Sequence, residues 1–229
     1  AAETAKQDMM RYRSDSRGTI HFGIPPMVEA YLFPDLFTKF QSVFPDITLD
    51  VQEYSDSDEV KERASLSELD FGIILGDADE SSGNELLILE DAMSICLPPD
   101  HPLTGKETVC FDDLVNEKFI MQQPHTYQYR KVYNRCSQAG FVPDVVLCTS
   151  QLKTIKQLVA NGMGISTLPN FVTRMEKIFV RKPLESSMGV RVSLYWGEHK
   201  TLSVVDTQFI DFMKKYTDTP DFKQHFRQH

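Results

Sequence analysis

The side chains whose types could carry chemistry by themselves are Cys96, Cys110, Cys136, Cys148, the six histidines and the pair Asp100-His101. None of the cysteines forms a C-x-x-C pair, and no Cys/His spacing suits zinc, so no metal site is expected. Cys96 and Cys148 lie in apolar stretches, where a reduced thiol behaves as a small apolar group. Cys136 and Cys148 could pair as a redox switch, although spacing shows neither proximity nor a lowered pKa. Asp100-His101 sits in a proline-stiffened turn with no nucleophile beside it. There is no G-x-S-x-G elbow, H-E-x-x-H helix or P-loop glycine–lysine stretch. Gly162-Met163-Gly164 precedes a strand and so is no dinucleotide fingerprint. The expectation is no catalytic residue, no cofactor and no enzyme.

Binding chemistry is a better fit. Ser55 to Asp58 and Thr149-Ser150 offer helix caps where strands give way to helices. Helix N-termini offer free N–H groups and a partial positive charge to polar ligand atoms. The formal net charge of −9 opposes a surface that neutralises phosphates. No apolar run is long enough for a bilayer, and no signal peptide opens the chain. With first residue Ala1, the chain reads as a fragment or a processed protein.

These groups need elements to position them. Ala2, Ala5, Met9 and Tyr12 recur at helical spacing up to Gly18. Ile20, Phe22 and Ile24 alternate as a strand, and Pro25-Pro26 turns the chain. Val28, Tyr31, Leu32, Leu36, Phe40, Val43 and Phe44 then predict a helix closed by Pro45. Ile47, Leu49 and Val51 predict a strand, Ser55 to Asp58 cap a short helix through about Leu66, and Phe71 to Leu75 reads as a buried parallel strand. An extended run from Leu86 to Leu97 leads to a second series. It comprises strand Phe119–Met121, a helix through Tyr129, Val132, Tyr133, Cys136 and Ala139 stopped by Gly140, and strand Val145–Cys148. A helix capped by Thr149 or Ser150 and carrying Leu152, Ile155 and Val159 precedes strand Ile165–Leu168. Val190 to Trp196 alternate as a strand, and Leu202 to Tyr216 form a closing amphipathic helix. Two βαβα series in tandem mean α/β architecture, two Rossmann-like lobes with a ligand cleft between them.

Several motifs, weak alone, occur here in a telling order. They are Gly18-x-Ile20-x-Phe22-Gly23-Ile24, Leu32-Phe33-Pro34-x-Leu36, Phe44-Pro45-Asp46, Glu68-Leu69-Asp70-Phe71-Gly72-Ile73, Leu97-Pro98-x-x-His101-Pro102-Leu103, Gly140-Phe141 and Val159-x-x-Gly162-x-Gly164-Ile165-x-x-Leu168-Pro169. From about Arg17 to Tyr216 the chain resembles the effector-binding domain of LysR-type bacterial transcription regulators. The resemblance implies a type 2 periplasmic-binding-protein-like fold. Residues 1–16 would end a linker helix, and the winged helix-turn-helix before it would be missing. Lobe I would comprise 17–93 and 192–217, lobe II 94–191, and 218–229 a flexible tail. The partners implied are a small-molecule effector, the chain itself as dimer and tetramer, and promoter DNA only through the missing N-terminal domain. A cytoplasmic location and no membrane contact are implied too. Effector binding would reach DNA binding and bending through lobe movement and oligomer rearrangement. The rival reading is a secreted solute-binding protein of a transporter, which shares the fold.

Carried over by position, the resemblance implies effector contacts from Pro25, Pro26, Met27, Ser55, Asp56, Gln123, His125, Thr126, Thr149, Ser150, Gly164 and Ile165. Each has a plain alternative: Ser55, Thr149 and Ser150 as helix caps, Gly164 as a turn residue, His125 as a solvated loop residue. Pro26-Met27 replaces the hydroxyl that carboxylate-binding members often carry. Asp56 opposes an anion if it faces the pocket, which points to a partly apolar effector with a donor group; equally, it caps its own helix.

Overall fold

The computed structural model describes residues 17–77 and 83–226. The linker-helix expectation for 1–16 and the end of the tail lie outside these residues. The described chain divides into two compact units, one of 17–74, 83–89 and 192–226, the other of 75–77 and 90–191.

In the first unit the alternation at Ile20, Phe22 and Ile24 becomes strand β1 (Gly18–Ile24), with all three side chains buried. It pairs in parallel with β2 (Ile47–Glu53) on one side and β3 (Phe71–Gly76) on the other. The order continues through β8 (Val180–Tyr195) to β4 (Glu85–Leu97), and these two long strands pass through both units. Helix α1 (Pro26–Val43) begins at Pro26, two residues before the apolar period starts. Proline suits the first helical position, where its missing N–H would lack an intrahelical partner anyway. Helix α2 (Ser57–Ser65) returns the chain to β3.

Helix α6 (Val204–Asp218) opens with a reciprocal cap, Ser203 and Asp206 each bonding the other's backbone N–H. Its Phe209 ring meets Phe22, Phe40 and Phe71 at centroid distances of 5.7, 5.2 and 5.1 Å. Leu202, expected in this helix, precedes it and is exposed. The tail from 218, expected to be flexible, instead contains helix α7 (Pro220–Phe226). Phe222 and Phe226 are buried, and Phe222 packs edge-on against Tyr216 at 5.0 Å. Two aromatics one helical turn apart supply the anchor that the scarcity of aliphatics concealed.

The second unit repeats the pattern. Strand β5 (Lys118–Met121) pairs in parallel with β6 (Asp144–Cys148). Helix α3 (Tyr127–Gln138) connects them, stopped near Gly140 at φ +86°. Helix α4 (Leu152–Ala160) leads to β7 (Ser166–Pro169), which runs antiparallel to β4, and on to the short α5 (Asn170–Thr173). Ile165 joins β5 through two 2.8 Å bonds, Ile120 N–H to its carbonyl and its own N–H to the Lys118 carbonyl. Through this isolated bridge the β6-β5 pair adjoins the β7-β4-β8 strands of the larger sheet, giving the spatial order β6-β5-β7-β4-β8. The β8 strand starts ten residues before the expected Val190, because its first half carries exposed polar residues that hid the period.

His101 holds a 3-10 turn (Pro102–Gly105): its Nδ1 accepts the Leu103 N–H and its Nε2 faces Glu117 Oε2 at 3.1 Å. The N–H of a neutral ring must then sit on Nε2 and donate to Glu117. That is a structural role for the one histidine beside a motif proline.

Candidate functional site

The first unit's candidate residues sit at the carboxyl ends of β1 and β2, joined where the Tyr54 N–H bonds the Ile24 carbonyl. Pro25 is the N-cap of α1, and its carbonyl accepts Val28 and Glu29 N–H at 3.0 Å each. Pro26 has no N–H, so this helix start has little left to offer an anion. Met27 is buried, giving the turn an apolar floor. Asp56, not Ser55, is the N-cap of α2, its carboxylate accepting the Asp58 N–H at 3.5 Å. It is only 8% exposed, so the cap does not face bulk water. Ser55 donates to Glu59 at 3.0 Å. Burial and the neighbouring Glu29 carboxylate push Glu53, at the end of β2, above the usual carboxylate range.

In the second unit Gln123, His125 and Thr126 follow β5, while Thr149 and Ser150 follow β6. The Thr149 N–H bonds the Met121 carbonyl and brings the two turns side by side. Thr126 caps α3, accepting the Tyr129 N–H and donating to the Gln123 carbonyl at 2.8 Å. The His125 side chain is exposed, and its carbonyl accepts from Arg130. Thr149 Oγ1 accepts the Gln151 N–H, but Gln151 itself is the N-cap of α4, so that helix starts later than expected. Ser150 is exposed.

Gly164 and Ile165 stand apart from these groups. They precede β7 and face the first residues of β5, whereas the candidate turns follow its last. Ile165 is fully buried, and a Cβ on Gly164 would lie 2.5 Å from the Lys118 carbonyl oxygen. Glycine here lets β7 approach β5, a packing role.

Sequence reasoning missed the polar groups around α3. The Tyr127 O–H is shared between the Gly76 carbonyl and Asp77, and Lys131 donates to Asp77 and, at 2.5 Å, to the Gly189 carbonyl. Burial opposes ionisation of Asp77, but the bonds from Lys131 and Tyr127 outweigh it and pull the carboxyl down. Gln128, Ser166 and Thr167 are buried polar residues at the same unit's core. The signal available was Ser166-Thr167 inside an otherwise apolar strand.

All four cysteines are free. Burial pushes the Cys136 and Cys96 thiols up to about 12 and raises Cys148 as well, the reverse of what a redox-sensing thiolate needs. Among the described residues no group of His, Cys, Asp or Glu is arranged to hold a metal ion. Among the same residues no helix is long and apolar enough to cross a membrane.

The chain matches a protein-family model, "LysR substrate binding domain", over residues 13–218. It is 25% identical to YwbI, an uncharacterized HTH-type transcriptional regulator of Bacillus subtilis, over 89% of this chain and 68% of that protein. It is 30% identical to the HTH-type transcriptional regulator CysL of the same organism, over 77% of this chain and 58% of CysL. The chain thus spans well under the full length of these relatives. The regulatory domain of Synechocystis CcmR, solved in complex with 2-PG, superposes with a TM-score of 0.79 at 23% identity, covering 89% of this chain and 99% of that one. The fold is that of LysR regulatory domains, the type 2 periplasmic-binding-protein-like class.

Proposed function

Since this chain belongs to the LysR substrate binding domain family, we propose that it is the effector-sensing part of a bacterial transcription regulator whose DNA contacts lie outside it. The observation that carries this reading is the family match over residues 13–218, with CysL and YwbI, both regulators, among its relatives. Two further features support it. The net charge of −9 suits a module that does not itself grip DNA. Polar caps and turns follow β2, β5 and β6, where open α/β sheets hold ligands.

On this reading the protein works in the cytoplasm as a homo-oligomer and performs no catalysis. The effector shifts the balance between conformations by its differential affinity for them, with coupling of about 1–3 kcal/mol. The whole protein converts that shift into altered promoter binding. Pro25, Pro26 and Met27 supply an apolar, donor-poor surface, and Asp56 supplies an acceptor that disfavours an anion. The effector is accordingly not an anion, and it pairs a donor group with a C–H face that suits the apolar turn.

Thermal melts with 2-PG, succinate, myo-inositol and D-ribose test sensing itself. A ligand present at about 100 times its Kd adds about 2.7 kcal/mol and raises Tm visibly. No rise with any of the four would leave an oligomerisation module as the better reading. Calorimetry tests the charge argument: succinate binding that is unchanged in Asp56→Ala would refute the donor assignment.

A further inference from the structure

Within the second unit, β5 lies between β6 and β7. The chain leaves β5 outward through α3 to β6 and returns through α4 to β7. Right-handed crossovers place these two helices on opposite faces. The gap between the carboxyl ends of β5 and β7 is therefore a topological switch point, the place where open α/β sheets bind ligands.

What fills this gap is unusual for a sheet. The Ile165 N–H and carbonyl both bond β5, so by alternation the Thr167 carbonyl faces the same way. Among the described residues the Gln128 amide of α3, and not a residue continuing β5, donates to it. That bond fixes the orientation of the Gln128 side chain, because the flipped amide would set two oxygens against each other. Gln128 is 4% exposed and Thr167 2%, yet among the described residues Gln128 Oε1 and Thr167 Oγ1 have no hydrogen-bond partner. Ser166 Oγ is also without one, but it points to the opposite face, the side on which Cys96 feels the charge of Lys156 from α4. Gln128 lies in the first turn of α3, just after its Thr126 cap.

Two buried polar atoms without partners at a switch point and a helix start call for a ligand that pairs with them. We propose that Gln128 and Thr167 form a subsite for a neutral hydroxyl group of the effector, which makes that effector a polyol or sugar-like molecule. This rests on the effector-sensing reading above and assigns its chemistry. Oε1 accepts a hydrogen bond and cannot donate one, so the guest must be a donor. Thr167 Oγ1 both donates and accepts, which a hydroxyl matches. A carboxylate would meet the lone pair of Oε1, and Lys131, the cation on α3's next turn, is committed to Asp77 and Gly189.

The test combines stability with binding in the 229-residue chain. Thr167→Val keeps the shape and removes the hydroxyl. Its Tm without ligand should stay equal or rise, since a hydroxyl without a partner is lost. Binding of myo-inositol or D-ribose, followed by saturation-transfer NMR and calorimetry, should weaken at least tenfold. A fall in the Tm of Thr167→Val would overturn the subsite, because the hydroxyl would then serve the fold. Polyol binding unaltered by Thr167→Val would overturn it too, as would failure of both polyols to bind. If succinate or 2-PG raises Tm while the polyols do not, the sensing function stands and this assignment falls.

Discussion

The two units use one strand-and-helix plan with opposite chemistry. At the first turn of the first unit, Pro25 and Pro26 remove N–H donors and the buried Met27 adds an apolar side chain. At the corresponding turn of the second unit, Thr126 and Gln128 bring a hydroxyl and an amide into the start of α3. The cores differ in the same sense. Phe22, Phe40, Phe71 and Phe209 make an aromatic cluster in the first. The second buries Ile120, Ile155, Val159 and Leu168 and, besides them, the polar Gln128, Ser166 and Thr167. A fold can thus be repeated while the polar chemistry at its turns differs between the copies, because the backbone plan fixes where strands end and not what stands there.

The largest break in this comparison should come from the aromatic core. Phe209→Ala removes the ring that joins three others and should cost about 3–5 kcal/mol in urea unfolding. A loss below about 1 kcal/mol would mean the first unit does not depend on that cluster. Next comes Gly164→Ala in the second unit. The added Cβ meets the Lys118 backbone oxygen at 2.5 Å, and backbone yields less readily than a side chain. A loss of about 1–3 kcal/mol is expected. An unchanged Tm would contradict the β5–β7 pairing.

The smallest effect separates the units by pH. Glu53 in the first unit holds its proton more tightly folded than unfolded, its value lying above the ordinary 4.5. Its contribution therefore favours folding in acid and is lost as pH rises from about 4.5 through the raised value. Asp77 in the second unit is shifted the other way, below the ordinary 3.8. Its contribution is present above 3.8 and lost as pH falls through the folded value. Tm measured from about pH 3 to about pH 6 should show Glu53→Gln flattening the upper part of the profile and Asp77→Asn the lower part. Identical profiles for both variants and the parent would remove this distinction.

Much of the framework was legible along the chain. Ile20, Phe22 and Ile24 alternate because one face of β1 is buried, and α1, α3 and α6 show their apolar faces at helical spacing. Asp56 was readable as a cap from residue type alone, whereas the Thr126 cap was not expected. Gly164 and Ile165 were harder to place. Their family motif gave no hint that they pack against the start of β5, away from the turns that follow it. The α7 helix was hidden because two phenylalanines in a polar stretch anchor nothing until Tyr216 stands beside them.

Periodicity and residue type are local properties, so the sequence by itself determined the α/β plan, its tandem repetition and the family. Gln128 looked like one more polar helix residue, and Thr167 like a polar interruption in a strand. Only the tertiary structure decided that they meet, since the order β6-β5-β7 sets which carbonyl loses its strand partner and which side chain can reach it. Hydrogen-bond demand at the end of a ladder depends on neighbours distant along the chain, and a linear pattern does not carry that information.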